Sequence, residues 1–541
     1  MVVQAFLICA LLTITAAARA AFTIFSVSGS AAACWTTGSD GWTIICATTG
    51  TGSCSSGTYT GTCIVYVSQS GGGAGSCTPQ SPPVTNTPSS AILCQTIAAG
   101  YAALRNNTSD QMLLAKGDTW SDTNQGWAKS GISSSQPMLL GSYGSGARPI
   151  IQSSPASDAV FNFINTTAGD NLAIIDIEFY SYKRDPSNPS FVSPPISEVT
   201  ALNMLYNAKQ MRWVLIEGCK FSWFTGSIGA QDQLAGTGTF LMRRNILINN
   251  YENVATGKES QGIYLGGMAS ILLEENTFSH NGWNATWNTT PGSTEFNHNW
   301  YIAVDGVGGS YNAPFTGPAT IRGNIVAYDG PASGSQTRVG GTLDNNLWVS
   351  GGIGQYSSNF GGVGGEIKNN VVMNINDNST YNGAGFQISY DVTWNTDNPS
   401  HAWAGVTTSN NIFSTEINST GNAHAYTIGI IGGSFAGSTN VTISNDIAFV
   451  IDSFVLDGGN MTVITGNNID LAGTNNNPGG NAPAEPFPAP TRSIGSYDTT
   501  LGGAGTLDHF LSLAEGQTKS SWNTAYMANA VNNYIRAGFG R

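Results

Sequence analysis

The chain has 541 residues, of which 40% are hydrophobic and only 10% charged, with 67 glycines and a visible excess of Ser, Thr and Asn. A soluble domain ordinarily carries roughly a quarter charged residues, so this chain folds on apolar and neutral polar chemistry. A net charge of -13, a pI near 4.7 and the lack of any Lys/Arg run exclude electrostatic capture of nucleic acid or of an anionic membrane.

Residues 1–20 read as a secretory signal, with the apolar run AFLICALLTITAAA and a small-x-small end at Ala18-Arg19-Ala20, although the leading MVVQ carries no positive charge. Export with Ala21 near the mature start is expected, and no membrane association after removal, because no later segment approaches the ~20 apolar residues of a span. Residues 21–95 hold Cys34, Cys46, Cys54, Cys63, Cys77 and Cys94 among Gly, Ser and Thr, a pattern of disulfide staples in an exported, loop-rich region. No CxxC pair or nearby His supplies zinc spacing. Within this region IVYVSQS reads as a strand, and SSAILCQTIAAGYAALRN as a capping helix begun by Ser89 or Ser90. The runs DQMLLAKGDTW and PMLLGSYGSGARPII then open a sheet array, with Lys116 and Arg148 as structural contacts in its turns.

From Leu172 one pattern recurs: a few aliphatic residues, a polar pair usually containing Asn, and a second short apolar run, as in WVLIEGCKF, SILLEENTF, GTLDNNLWV and VTISNDIAF. Alignment on the second polar residue gives Cys219, Asn245, Asn276, Asn324, Asn346, Asn370, Asn411, Asp446 and Asn468. The spacing is a solenoid period over residues 96–470: an all-β parallel β-helix with an N-terminal helix cap. In such a fold like residues stack, apolar ones inward, and Asn both bonds along the stack and tolerates left-handed corners. The wide steps Asn276 to Asn324 and Asn370 to Asn411 imply a skipped coil plus a long loop, and such loops are where function is grafted. Cys219 reads as a buried small hydrophobe. Of the adjacent Arg243 and Arg244, at least one is expected to point inward onto a carboxylate.

Residues 471–497 read as a Pro/Gly/Asn connector, and 498–541 as a C-terminal helical cap. Its helices are TLDHFLSLAEG, with Thr506 as N-cap, and SWNTAYMANAVNNYIRAG, ended by Gly538. A helix laid over the terminal strands would protect the solenoid's open edge.

The Asn-bearing coils, the KGDTWSDTNQGWAKSG and GSYGSGARPII blocks, HNGWN, FNHNWY and the terminal NNYIRAGFG resemble the right-handed parallel β-helix repeat proteins of the pectate-lyase-like superfamily. They look most like a secreted bacterial branch of it. The resemblance covers most of the mature chain and implies the fold and an association with extracellular polysaccharide. It implies no particular reaction, and the Cys-rich region lies outside the familiar pattern.

The stretch from Glu274 to Tyr301 holds two of only five histidines, His280 and His298, and is the candidate site. On a uronate polymer, β-elimination or C5 epimerisation requires a base for the proton α to the carboxylate, a neutraliser for that carboxylate and an acid. His298 as base, Tyr301 as acid, Arg338 or Asn299 as neutraliser, and His280 on the same flank form the expected catalytic set. Trp283, Trp287, Asn297, Asn299 and Trp300 are the expected substrate contacts, the indoles by stacking on sugar rings. A hydrolase would instead use two carboxylates, Glu295 and Asp305, with Asp329 as a spare. Glu274, Glu275 and Asp305 could together hold Ca²⁺, though no Ca²⁺-loop motif occurs and no other cofactor is indicated. Adjacent Glu274 and Glu275 are expected on opposite sides of their strand. Three readings therefore stand: a secreted lyase or C5-epimerase on an acidic polysaccharide, a non-catalytic carbohydrate-binding or surface-structural solenoid, and a glycoside hydrolase. No feature of the sequence fixes an oligomeric state.

Overall fold

A computed structural model describes residues 35–70, 77–153, 159–163, 170–193, 195, 199–204, 211–231, 236–252, 260–284, 286, 297–303, 316–328, 334–352, 358–360, 363–376, 384–389, 405–414, 426–431, 440–449, 453–457, 462–470, 487–489 and 491–541. Three all-parallel sheets, of 13, 12 and 11 strands among these residues, share one progression: each strand pairs with its equivalent one coil before and one coil after. The fold is a right-handed parallel β-helix. Sheet 1 runs from Ile64–Val67 to Thr462–Gly466, sheet 2 from Thr119–Thr123 to Ile469–Asp470, and sheet 3 from Gln125–Gly126 to Ser453–Asp457.

The polar pair of the repeat makes the corner between sheets 1 and 2. Its first residue takes the left-handed conformation in coil after coil, at Asp176, Gly218, Arg244, Glu275, Gly323, Asn345, Asn369, Asn410, Asn445 and Asn467. Only Gly and, less easily, Asn or Asp enter that region cheaply, which explains the Asn-rich composition. The second residue points inward and builds a ladder. Asn276 donates its N–H and its Nδ2 to Asn324 Oδ1 (2.9 and 3.0 Å), Asn324 does the same to Asn346 (3.0 and 2.9 Å), and Asn346 to Asn370 (2.9 and 3.0 Å). Each Nδ2 also reaches a carbonyl of the preceding coil, as from Asn324 to Leu273 (2.9 Å). Asn276 and Asn324 are therefore neighbours in the stack, as are Asn370 and Asn411 (2.9 Å). No coil is skipped at either place. The extra residues are all loop, because the strands Ser270–Glu274 and Ala319–Arg322 pair directly, as do Gly365–Lys368 and Val406–Ser409.

Inward residues of the three sheets form one core with an aromatic run: Trp127, Phe161, Phe179 and Phe221 stack in sequence, and Phe278, Trp300, Trp348, Phe386 and Phe413 continue the motif further on. At the N-terminal end, helix α1 (Ile97–Ala103) packs on Val67 and Met112; a Cβ on its Gly100 would lie 2.5 Å from Val67. Helix α1 starts after Thr96 rather than at Ser89, which caps only a short 3-10 turn. The reason is Cys94: its disulfide to Cys77 and its backbone pairing with Tyr66 hold that segment extended. A second disulfide joins Cys54 to Cys63, Cys46 is also disulfide-bonded, and Cys219 is free and buried.

The C-terminal segment comprises α2 (Ile494–Thr500), which opens inside the tract read as connector, α3 (Leu507–Glu515) with Thr506 as its N-cap, and α4 (Ala528–Gly538). These helices lie along the outer face of sheet 2, reaching as far as Ile469 of its last strand. Phe510, Leu511, Val531 and Ile535 bury Ile325, Ala327, Leu347, Val349, Val371 and Met373, the outward apolar row of that sheet. An amphipathic helix buries its apolar stripe on an apolar face, and the outward row of sheet 2 supplies one. The segment spans many coils, with Phe539 against Phe449, Asn532 on Asn345 and Trp522 edge-on to Trp42 in the N-terminal hairpin. Among the described residues no helix is long and apolar enough to cross a membrane.

Candidate active site

Strands Gly226–Gln231, Gln261–Gly266, His298–Ile302 and Ser335–Thr337 are consecutive in sheet 3. Alternation sends Ile263, Leu265, Trp300 and Ile302 into the core, so Tyr264, Tyr301 and Gln336, paired in register, share the outer face. There Tyr264 and Tyr301 pack with ring centres 5.3 Å apart, and Gln231 donates to the Tyr264 hydroxyl at 3.2 Å. Arg338, held by its N–H on the Ile302 carbonyl (3.1 Å), donates Nη1 to the Tyr301 phenol oxygen at 2.8 Å.

A half-buried phenol touching a guanidinium is a proton-transfer group beside a fixed positive charge. Such a pair suits chemistry in which negative charge develops next to an acidic sugar: the guanidinium opposes a carboxylate while the phenol exchanges a proton. Tyr301 and Arg338 are the two expected catalytic residues that the structure brings together.

The other expected residues are dispersed. His298 is buried, 1% exposed, with its ring stacked on Tyr301 at 5.4 Å, and burial pushes its pKa down to about 3. A base meeting a polymer must reach the surface, so His298 supports Tyr301 instead. Its imidazole is expected to stay neutral, with flat NMR ring shifts from about pH 5 to 8; a titration inside that range would contradict the packing. His280 occupies a left-handed corner after sheet 2, with Nδ1 on Ser279 Oγ (2.8 Å) and the Tyr328 ring tilted against it at 4.3 Å, beside the C-terminal helices. Desolvation by that crowding lowers its pKa against the pull of Asp508. The two histidines thus serve different faces of the solenoid.

Asn299, expected to contact substrate or neutralise a carboxylate, is fully buried and accepts from Asn281 Nδ2 (2.7 Å) in a second amide ladder that starts from Asn250 (2.5 Å). Asn297 is buried beside it, and a Cβ on Gly282 would lie 2.7 Å from its carbonyl carbon. Trp300, expected to stack on a sugar, is core: it packs on Phe278 and Trp348 and gives its indole N–H to Thr337 (3.1 Å). Strand parity explains the correction, since Trp300 alternates with the outward Tyr301. Trp283 is half-buried; Trp287, Glu295, Asp305 and Asp329 lie outside the described residues. Tyr264 and Gln231 were not expected at the site, although the alternation in QGIYLGG already marks Tyr264 as outward.

Glu274 and Glu275 do not face opposite sides. Both border one cleft of about 260 Å³, with Arg322, Asp344, Thr524 and Met527, because Glu275 sits in the left-handed corner and turns back. Neither fits a Ca²⁺ site: Glu274 is paired to Arg243 and Arg322 (2.6 Å each), Glu275 to Arg244 (2.7 Å), and among the described residues no cluster of three metal-ligating side chains occurs. Both arginines of the Arg243-Arg244 pair therefore meet carboxylates. Lys116 and Arg148 are structural, Lys116 on Asp176 (2.8 Å) and Arg148 on the Gly218 carbonyl (2.8 Å).

No family model and no curated protein matches this chain. Among solved structures, the native GH136 lacto-N-biosidase from Eubacterium ramulus aligns over 74% of this chain and 67% of its own, at 12% identity and TM-score 0.34. Pectate lyase Pel9A aligns over 75% of this chain and 80% of its own, at 14% identity and TM-score 0.35.

Proposed function

We propose that the protein is an exported polysaccharide-active β-helix, a lyase or C5-epimerase acting on an acidic polysaccharide at Tyr301 and Arg338. The observation that carries this reading is the 2.8 Å contact between the Arg338 guanidinium and the Tyr301 phenol on the outer face of sheet 3. Arg338 opposes the charge of the substrate carboxylate, which acidifies the adjacent C–H. Tyr301 in its phenolate form takes that proton and passes it to the glycosidic oxygen as the C–O bond breaks and the C=C bond forms. In epimerisation, water instead reprotonates the carbon from the opposite face. His298 backs the Tyr301 ring. Tyr264, braced by Gln231, offers an aromatic surface for the neighbouring sugar. The disulfides of the N-terminal region support export, since such bonds persist in oxidising compartments.

The burial of His298 favours one second reading, glycan binding without turnover, because it removes the expected base from the surface. A polyuronate panel separates the two. Ultraviolet absorbance from unsaturated uronates marks a lyase, NMR of the intact polymer marks an epimerase, and binding without either marks the second reading. Tyr301→Phe and Arg338→Ala are each expected to lower kcat/KM by about 100-fold or more. Undiminished turnover in both variants would place the chemistry elsewhere, and reducing ends without unsaturation would make the protein a hydrolase.

A further inference from the structure

The inward amide ladder contains one carboxylate. Asp446 fills the rung between Asn411 and Asn468, fully buried. Its Oδ1 accepts both the N–H (2.7 Å) and the Nδ2 (3.0 Å) of Asn411, and its N–H donates to Asn468 Oδ1 (3.0 Å). At the adjoining rungs the side chain also donates back: Asn411 Nδ2 to the Ile367 carbonyl and Asn468 Nδ2 to that of Ile443, both at 2.9 Å. An ionised aspartate has no donor for this bond, whereas a protonated one does.

A second departure touches the first. In sheet 1 the inward row Leu343, Ile367, Thr408, Ile443 is aliphatic except at Thr408, which is itself fully buried. The Thr408 hydroxyl donates to Asp446 Oδ2 at 2.6 Å. A buried hydroxyl in an aliphatic row, aimed at the one carboxylate of an amide ladder, is a matched pair: Thr408 holds the acid when ionised, and the acid's own proton can replace the missing amide donor when neutral.

We propose that Asp446 and Thr408 form a proton-operated clasp that tightens the last coils of the solenoid in acid and loosens them above neutrality. The groups facing it are Thr408 and Asn411 from the preceding coil, Asn468 from the following one and Arg536 from α4. Arg536 donates to the Asn410 carbonyl (2.9 Å) and feels the charges of Asp344 and Arg541. Burial pushes the Asp446 carboxyl up to about 7, against the hydrogen bonds of Thr408 and Asn411 and the charge of Arg536. The folded chain therefore keeps a proton that the unfolded chain releases near pH 3.8. The stability carried by that proton is complete below this pH and is lost as pH rises to about 7. Because α4 is anchored to these coils through Arg536 and through Phe539 on Phe449, the clasp also governs how firmly the end of the C-terminal strap is held. Buried His298 acts in the opposite sense over much of the same range, so global stability masks the effect and a local measurement is required.

Amide hydrogen exchange of the full chain at pH 5 and pH 8 provides that measurement, with wild type and Asp446→Asn compared at each pH so that intrinsic exchange cancels. Part of the proton's contribution is already lost at pH 5, so wild-type exchange exceeds that of Asp446→Asn by a smaller ratio there than at higher pH. From pH 5 to pH 8 the ratio of wild-type to Asp446→Asn exchange in segments 405–414, 440–449 and 462–470 is expected to rise about tenfold or more, with earlier coils unchanged. Thr408→Val is expected to widen the pH 8 gap. A ratio equal at both pH values, or a difference centred on earlier coils, overturns the clasp; a Thr408→Val protein that exchanges like wild type at pH 8 overturns the pairing.

Discussion

Arg243→Met is expected to destabilise the protein by about 3–5 kcal/mol, the cost of stranding buried charge. Arg243 is 5% exposed and ties two carboxylates of adjacent coils, Glu274 at 2.6 Å and Glu217 at 3.0 Å. Glu217 is fully buried and also receives the Thr43 N–H (2.8 Å), so one guanidinium joins two coils to the N-terminal hairpin. Without it Glu217 keeps its burial and loses its counter-charge. Burial raises the Glu274 pKa, but Arg243 and Arg322 overcome that and hold it below the ordinary range. Its contribution is therefore present above the ordinary carboxylate pKa and fades as acid protonates it. The check is the denaturation midpoint at fixed protein concentration and scan rate, with Lys368→Ala as control. Lys368 and Glu366 form an exposed pair, for which a change within about 0.5 kcal/mol is expected. Equal effects of the two substitutions would mean that the buried network carries no special weight.

Asn324→Leu is expected to cost about 3–5 kcal/mol, because it strands several buried groups, each worth about 1–3 kcal/mol when unpaired. The Asn276 N–H and Nδ2 lose their acceptor, and the Leu273 carbonyl and Asn346 Oδ1 lose a donor. Leucine matches the volume closely, so the loss reports hydrogen bonding rather than a cavity. Asn324→Asp is the sharper variant. It recreates the Asp446 situation without a Thr408, since the equivalent inward residue is Leu273, and its cost should grow between about pH 4 and 7 as the acid ionises. A pH-independent cost would show that the ladder tolerates ionised carboxylates and would weaken the reading of Asp446 as well.

Repeat proteins distribute such losses locally, since each coil touches only its neighbours. Both effects should therefore appear as loosened coils around residues 217–274 and 276–346 before global unfolding. The C-terminal strap complicates this simple picture. By crossing the outer face of sheet 2 from Phe449 to Trp42, it links coils far apart in the stack and makes their opening more cooperative.

The solenoid was legible in the sequence because its period is enforced by local chemistry. A corner that needs a left-handed residue, followed by an inward amide, leaves the Asn-containing pair visible in coil after coil, and all nine positions from Cys219 to Asn468 stack as aligned. The helices and the half-cystine pattern were readable for similar local reasons. Loop length was not, because a 48-residue step and a 22-residue step can each close one coil.

The site was less legible. Scarcity drew attention to His280 and His298, but scarcity says nothing about direction, and one residue of strand parity separates a buried side chain from an exposed one. Tyr301 and Arg338 meet only because Thr337 pairs with Ile302, which brings residues 37 positions apart side by side. Interactions within a few residues set the coil: its corner, its inward amides and its apolar faces. Tertiary structure alone decided which coils adjoin, that the helices take the flank of sheet 2, and which residues reach solvent together. Those outcomes depend on register between distant strands and on apolar surface that distant segments bury together, neither of which is a local property of the chain.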